Sequence, residues 1–587
     1  MSSSTSMRKI TWRLIKFRPL LFLATIFFRG IDDIAPFFAG LVLKAFFDVL
    51  TGQAESGFTA ATFVALFIVV ELGDRIALFG SALTWPRWWF SIETLLRRNL
   101  LAAILEVRDS LRISGASGEV TNRLRDDVNG ISHYLNEYIH LWGNLVFAGL
   151  AIRYMAAIDL GVTLITMVPA ICEVIIVDAC RKLIHKYRTA QRVATEKATN
   201  FINEMFKSVL AVKVETAEVN MVKHFRGLND QRRRSTLVDN IFNELLQSIN
   251  ANLGHIATGV ILILVADKMK SGSFTVGDMA LFATYIGQVA RSGSLLGTLL
   301  AQHKRAGVSY DRIANTVEDT PRQCLIDDAP LYLTELPPEP NQTRPENPLE
   351  ELSLEGIGYT YPESNLGIFD VSFRVPEGSF TVIIGQIGSG KTTLLRSILG
   401  TLPINKGLMK WNGDKIKDPK TFLTPPRCAY TSQIPNLFSE SLRENILCGL
   451  PNDSDTLSRA LYQGVLDEEV YGLSDGLDTI VGPRGVKLSG GQIQRVGAAR
   501  MFIRDAELLV FDDLSSALDV ETERVLWTRL FKGRKATCIV VSHRRPALLR
   551  ADQIVVMKDG RVDSIGTLEE LLKSSREMKK LWERQVG

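Results

Sequence analysis

Residues 380–395 read FTVIIGQIGSGKTTLL. The first five form an unbroken β-branched and aromatic run, short enough for a strand buried on both faces. Gly385–Thr392 then fits GxxxxGK[ST], and the residues from Thr393 take a helical course. In this strand–loop–helix setting, the glycines (Gly385, Gly388, Gly390) let backbone N–H groups curl around phosphate oxygens without a Cβ in the way. The helix start adds the positive end of its dipole. Lys391 is placed to reach the outer phosphates, and the Thr392 hydroxyl to ligate Mg²⁺. With Ser389 and Thr393 these residues form the expected phosphate site of an α/β domain.

Working outward, a second apolar run, Leu508–Phe511, ends in Asp512 and Asp513. A carboxylate at the end of a neighbouring strand can hold Mg²⁺ through its water shell, a role that suits Asp512. Between the two strands stands Leu488-Ser489-Gly490-Gly491-Gln492, followed by Ile493-Gln494-Arg495.

That pentapeptide resembles the signature of ATP-binding cassette (ABC) proteins, and the resemblance covers nearly the whole chain. It implies ATP and Mg²⁺ as cofactors and an ATP hydrolase coupled to transport. By the same resemblance, Tyr361 in Tyr-Thr-Tyr-Pro looks like the aromatic that stacks on adenine. Gln433 in Tyr-Thr-Ser-Gln looks like the Mg²⁺-sensing glutamine, and Ser516-Ala517-Leu518-Asp519 like the dimer-contact loop. His543, after the strand Cys538–Val541, looks like the γ-phosphate contact. In this family Ser489, Gly490, Gly491 and Gln492 complete the site of a facing cassette, so one chain contributes half of each site. The implied fold is multi-domain: an all-α polytopic membrane domain of six long transmembrane helices, then an α/β P-loop NTPase domain with a helical signature subdomain.

Two departures stand out. The general base after the strand-end aspartate is normally Glu, and here it is Asp513. One methylene less withdraws the carboxylate by roughly 1.5 Å, and misplacement of about 1 Å can cost ~100-fold in rate. The chain's own site is therefore expected to bind ATP and hydrolyse it slowly. In Gly482-Pro483-Arg484-Gly485, Pro483 replaces the usual Glu of a coupling loop. An intact signature beside an Asp base resembles the degenerate-site subunit of a heterodimeric multidrug, peptide or lipid exporter. The expected partner is a second half-transporter supplying a Glu base, with a slow homodimer as the alternative.

The N-terminal half differs in character. A chain of 587 residues exceeds one core, and a slightly positive mean hydropathy beside 22% charged residues marks two unlike halves. At about 20 apolar residues per span, six candidates appear: 19–50, 58–90, 131–157, 160–182, 240–268 and 275–305. Basic residues on the long connections (Arg97, Arg98, Arg108, Arg123, Arg125, Lys182, Lys186, Arg188, Arg192, Arg232–Arg234) put those loops, the N-terminus and the cassette in the cytoplasm. The loops are expected to be helical continuations of the spans. Gly118-Glu119-Val120 with Arg123 and Asp127, and Val212-Lys213-Val214-Glu215, look like the family's coupling regions. Arg29, Asp32, Asp33, Glu71, Asp74, Arg75, Arg153, Glu173 and Asp178 lie inside spans, where charge is costly. They are expected to face the bundle interior or a water-filled cavity, either as a polar substrate pathway or through local pairing of Arg29 with Asp32 or Asp33 and of Glu71 with Arg75.

Residues 319–350, rich in Pro, Asp, Glu and Asn, are expected to be an exposed linker between a membrane domain (1–318) and a cassette (351–587). A formal charge of +4 gives no footing for nucleic acid. The six scattered cysteines, Cys172, Cys180, Cys324, Cys428, Cys448 and Cys538, lack metal-ligand spacing and fit reduced thiols. The basic start (Arg8, Lys9, Arg13, Lys16, Arg18) leads into a first membrane helix rather than a cleavable signal. No leader-cleaving extension is expected. The expected setting is a multi-pass protein of a bacterial inner or plasma membrane, in contact with membrane lipid. The transported substrate is undetermined, and a homodimeric exporter or lipid flippase, an importer on the exporter fold, and a soluble regulatory cassette remain as alternatives.

Overall fold

The computed structural model describes residues 6–53, 57–106, 117–317, 320–331, 347–362, 364–483, 485–514, 516–532 and 536–583. Within these, the side chains of 169, 170, 172–174, 176–178, 181, 246, 249–258, 260, 290 and 294 are also outside the description. The chain divides into two compact units, a helical one from the N-terminal half and a second from Thr334 onward.

The helical unit opens with α1 (Met7–Phe17), a short amphipathic helix whose Ile10 and Leu14 are buried. Then come α2 (Pro19–Leu50), α3 (Ala60–Glu106), α4 (Ser117–Asn122), α5 (Val128–Ile158), α6 (Leu160–Lys207), α7 (Val209–Val214), α8 (Glu218–Lys270) and α9 (Val276–Ala314). A π-helical turn, Arg123–Asp127, joins α4 to α5. The six long helices occupy the six expected spans, and α3, α6 and α8 continue far beyond them, as the polar loops led one to expect. At 1.5 Å per residue the 53 residues of α8 run about 80 Å, well past a ~30 Å hydrocarbon core. Asp159 caps α6 by accepting from the Val162 N–H at 2.9 Å, and Thr275 and Asp278 form a capping box on α9.

Among the described residues, only Gly118–Ile158 is apolar and long enough to cross a membrane on composition alone. Helix α2 carries Arg29, Asp32, Asp33, Lys44 and Asp48, and the fold gives these charges partners. Arg29 approaches Asp32 at 3.4 Å and donates to the His140 ring at 3.0 to 3.3 Å. Buried Asp33 accepts from Asn144 at 3.0 Å. Lys44 meets Asp48 at 2.8 Å and Asp278 at 2.7 Å, tying α2 to α9. Glu71 and Arg75 pair at 3.9 Å, as their spacing led one to expect, on a helix flank where the Arg75 side chain is 66% exposed. Arg153 is also exposed. Arg108, the Glu173 and Asp178 side chains and Arg484 lie outside the described residues.

The start of the stretch expected to be exposed linker packs instead. A 3₁₀ turn, Arg322–Ile326, buries Leu325 and Ile326 in the helical core. Asn99 donates to the Leu325 and Asp327 carbonyls at 3.2 and 2.9 Å. Two apolar side chains within a polar run suffice to anchor it, which composition averages away.

In the second unit, a four-stranded antiparallel sheet has the order β2-β1-β4-β5, with β1 (Glu351–Thr360), β2 (Gly367–Pro376), β4 (Lys406–Trp411) and β5 (Asp414–Lys415). A six-stranded sheet has the order β10-β9-β3-β8-β7-β6, with β3 (Phe380–Gly385), β6 (Cys428–Thr431), β7 (Leu508–Asp512), β8 (Thr537–Val541), β9 (Gln553–Lys558) and β10 (Arg561–Gly566). Strands β6, β7, β8, β3 and β9 are mutually parallel. β3 is buried at every position, as its apolar run requires. Val382 and Ile384 pack on one side of the sheet and Ile383 on the other. Helices α10 (Lys391–Ile398), α11 (Pro419–Phe422), α12 (Leu442–Leu447), α13 (Ser454–Gln463), α14 (Asp467–Val470), α15 (Gly490–Phe502), α16 (Val520–Leu530), α17 (Arg545–Arg550), α18 (Leu568–Ser574) and α19 (Arg576–Glu583) complete it.

Candidate nucleotide site

Because β6, β7, β8 and β3 run parallel side by side, their carboxyl ends converge on one edge, the usual ligand edge of an open α/β sheet. Gln433 follows β6, Asp512 ends β7, His543 follows β8, and the glycine loop follows β3. A cavity of about 370 Å³ lies there, lined by Tyr361, Gly388, Gly390, Lys391, Thr392, Thr393, Gln433, Asp512, Asp513 and His543 among others. Thus most residues singled out in the sequence share one cavity.

The loop is held by its own backbone. Gly388 and Gly390 have φ of +84° and +97°, a left-handed geometry that a Cβ disfavours. The Lys391 ammonium donates to the Gly385 and Gln386 carbonyls, each at 2.8 Å. Burial lowers its pKa, against the pull of Asp513 and Asp512. The Ser389 side chain sits behind the loop, its buried hydroxyl without a hydrogen-bond partner among the described residues.

At the cavity floor the Thr392 hydroxyl donates to the Asp512 carboxylate at 3.4 Å. Burial raises the Asp512 pKa, opposed by that hydrogen bond. The Gln433 amide donates to Asp513 at 3.2 Å. Burial raises Asp513 as well, opposed by Gln433, Arg544 and Lys391. Asp513 adopts φ +51°, and its N–H donates to the Val541 carbonyl at 3.0 Å. Asp tolerates the left-handed region better than most side chains. Burial, then the Lys391 charge, holds the His543 imidazole below its ordinary pKa, so it is neutral at pH 7. The Tyr361 hydroxyl lies 3.3 Å from that of Thr393.

A hydroxyl, a carboxylate and an amide oxygen are hard donors that suit Mg²⁺, which takes one or two protein ligands beside substrate phosphates. The donor set fits the ion.

The signature residues are not brought to this cavity. Ser489 caps α15 in a capping box with Gln492: its hydroxyl accepts from the Gln492 N–H at 3.3 Å, and the Gln492 side chain accepts from the Ser489 N–H at 2.8 Å. Gly490 and Gly491 lie so close to Ala517 that an added Cβ would come within 3.3 Å of its Cβ and 3.0 Å of its carbonyl oxygen. Two further residues escaped sequence reasoning. Arg544 donates to the Leu518 and Ser516 carbonyls at 2.7 and 3.3 Å, and Gln494 bonds to both neighbouring loops. Their partners are remote in sequence, so no local spacing marked them.

Residues 368–516 match the family described as ABC transporter, and residues 22–292 match the ABC transporter transmembrane region. The chain belongs to the ABC transporter family. It is 25% identical over 583 residues to the uncharacterized ABC transporter ATP-binding protein YknV of Bacillus subtilis, covering 96% of this chain and 92% of that one. It is also 25% identical over 561 residues to the probable multidrug resistance ABC transporter ATP-binding/permease protein YheI of the same organism, covering 93% of each. A bacterial Atm1-family ABC exporter solved with ATP bound shares the fold, with a TM-score of 0.73 at 20% identity over 98% of this chain and 99% of that chain. This ABC transporter is an integral membrane protein that uses ATP and Mg²⁺, and its ATP hydrolysis drives transport. It acts as a dimer, with a second half-transporter or with itself.

Proposed function

We propose that this chain is one half of a heterodimeric exporter, holding the slower of two ATP sites and lending its signature to the faster one. The observation that carries this reading is Asp513. It follows the last residue of β7, beside Gln433 and in the same cavity as Lys391, and a side chain one methylene shorter than Glu supports the reading that it is a set-back general base. The signature at the head of α15 is intact, capped and outside the cavity.

In this reading Tyr361 packs on the adenine, and the N–H groups of Gly385–Thr392 face the phosphates. Lys391 exchanges its two carbonyl acceptors for phosphate oxygens. Thr392, Gln433 and Asp512 would hold Mg²⁺, which would offset the phosphate charge. His543 donates a hydrogen bond toward the terminal phosphate. Asp513 orients the attacking water from too far back, while Ser489, Gly490, Gly491 and Gln492 close the facing site. Closure of the two cassettes turns the transport path outward. The relative with a probable multidrug resistance role supports export as the direction. The domain division that goes with this reading is 1–318, 319–350 and 351–587, with Arg322–Ile326 docked on the first. The cassette and N-terminus lie on the cytoplasmic side of a bacterial inner or plasma membrane.

The test is to purify the chain alone and assay ATPase activity. Feeble turnover is expected. Robust turnover by a homodimer, abolished by Asp513→Ala, overturns the heterodimer reading.

A further inference from the structure

We infer that Gln494 is a positioning residue that locks the loops of this chain's own nucleotide cavity to the signature helix, so that the state of one ATP site is passed to the other. The inference rests on the reading above that the signature serves the facing cassette.

Gln494 lies on α15 and is only 4% exposed. Its amide nitrogen donates to the Gln433 carbonyl at 3.0 Å and to the Ser516 hydroxyl at 2.8 Å. Its amide oxygen accepts from the Ala517 N–H at 3.0 Å. A main-chain carbonyl on one side and a main-chain N–H on the other fix the amide in one orientation, since a flipped amide would face like against like. No other natural side chain offers two donors and an acceptor with this reach.

The partners make a closed circuit. The Gln433 side chain donates to the Asp513 carboxylate at 3.2 Å, and the Ser516 N–H donates to the Asp513 carbonyl at 3.2 Å. Gln494 bonds to both Gln433 and Ser516 and so completes a ring around the residue that stands in the general-base position. The helix that carries Gln494 begins at the signature, where Gly490 and Gly491 press on Ala517. Little more than one turn of α15 thus separates the ring from the phosphate-facing end. Further along, an α-carbon substituent at Gly497 would meet the Pro435 ring at 2.6 Å, so the helix also has no slack against the segment that follows Gln433. A main-chain shift at Gln433 or at Ser516–Ala517 on nucleotide binding or phosphate release must either break a buried hydrogen bond of Gln494 or drag α15 with it. Leaving that buried amide unpaired is costly, so the helix moves.

The test uses the purified full transporter in lipid nanodiscs, with Gln494→Glu and Ser516→Ala. Glu keeps the volume and the acceptor for Ala517, but sets an oxygen against the Gln433 carbonyl. The result expected for Gln494→Glu, assayed well below the melting temperature that the buried carboxylate also lowers, is a kcat lowered by about tenfold or more with the KM for ATP unchanged. Ser516→Ala, which leaves the core untouched, is expected to lower kcat less, and the double variant to fall no further than Gln494→Glu alone. A kcat within about twofold of wild type overturns the inference. So does a KM for ATP that rises as kcat falls, which is a merely structural role, or additive losses in the double variant. The slow-site reading fails on a different variant, Asp513→Ala, so the two failures are told apart.

Discussion

Lengthening the side chain at 513 should accelerate hydrolysis at this chain's own site. In the structure the Asp513 backbone is held by its N–H bond to Val541 at 3.0 Å, so the carboxylate cannot advance by main-chain movement. Asp513→Glu adds one C–C bond, roughly 1.5 Å of reach. Recovering a misplacement of about 1 Å is worth ~100-fold, or about 2.7 kcal/mol. The opposing effect is conformational: at φ +51°, Glu lacks the local hydrogen bonding that eases Asp into the left-handed region, a cost of about 1–2 kcal/mol. If about 1 kcal/mol of that cost is felt in the transition state, some 1.7 kcal/mol remains, a gain of about eighteenfold. The assay is single-turnover phosphate release from labelled ATP by the full chain in nanodiscs, with Asp513→Asn as baseline. A Glu variant that binds ATP normally yet releases phosphate within about twofold of wild type refutes the reasoning about reach. A wild-type rate already ~100-fold above the Asn baseline refutes it equally, because Asp513 would then be a competent base.

Two further outcomes follow from burial and packing. The raised pKa of Asp512 means that its contribution to stability is fully present below its unfolded value and is lost as pH rises through its folded value. Asp512→Asn is therefore expected to raise the melting temperature at pH 7 while abolishing hydrolysis, with the gain shrinking as the pH approaches the ordinary carboxylate range; a lower melting temperature at pH 7 contradicts this. Gly497→Ala should normally stabilise a helix by about 0.5–1 kcal/mol, but here the methyl meets Pro435 at 2.6 Å and Thr431 at 3.0 Å. A net loss of about 1–3 kcal/mol is expected from overpacking, seen as a lower denaturation midpoint of the full chain.

Much of the fold was legible because its signals are short-range. The run Phe380–Ile384 with the glycines after it specifies strand, loop and helix within sixteen residues, and β3, the loop and α10 stand there. The polar stretches after the membrane spans were legible as helices from the spacing of Phe201, Met205, Val209 and Val212, although Ser208 interrupts the helix between α6 and α7. Less legible was the fate of charge in the spans. Pairing of Arg29 with Asp32 followed from helical spacing, but its contact with His140, 111 residues away, did not. Leu325 and Ile326 show the same limit, since a turn in a polar stretch docks only if a matching surface exists.

By itself the sequence determined which residues could handle a nucleotide: a glycine loop that needs left-handed backbone, a lysine, a hydroxyl and two strand-end carboxylates. Those properties belong to each residue and its immediate neighbours. Only the tertiary structure decided how they are joined, because the order β3-β8-β7-β6 is not the order of the chain. That order places Gln433 against Asp513 and turns one buried amide, Gln494, toward both loops. Hydrogen bonds of about 3 Å between residues 22 to 80 positions apart depend on the whole packing of strands and helix, and no local pattern carries them.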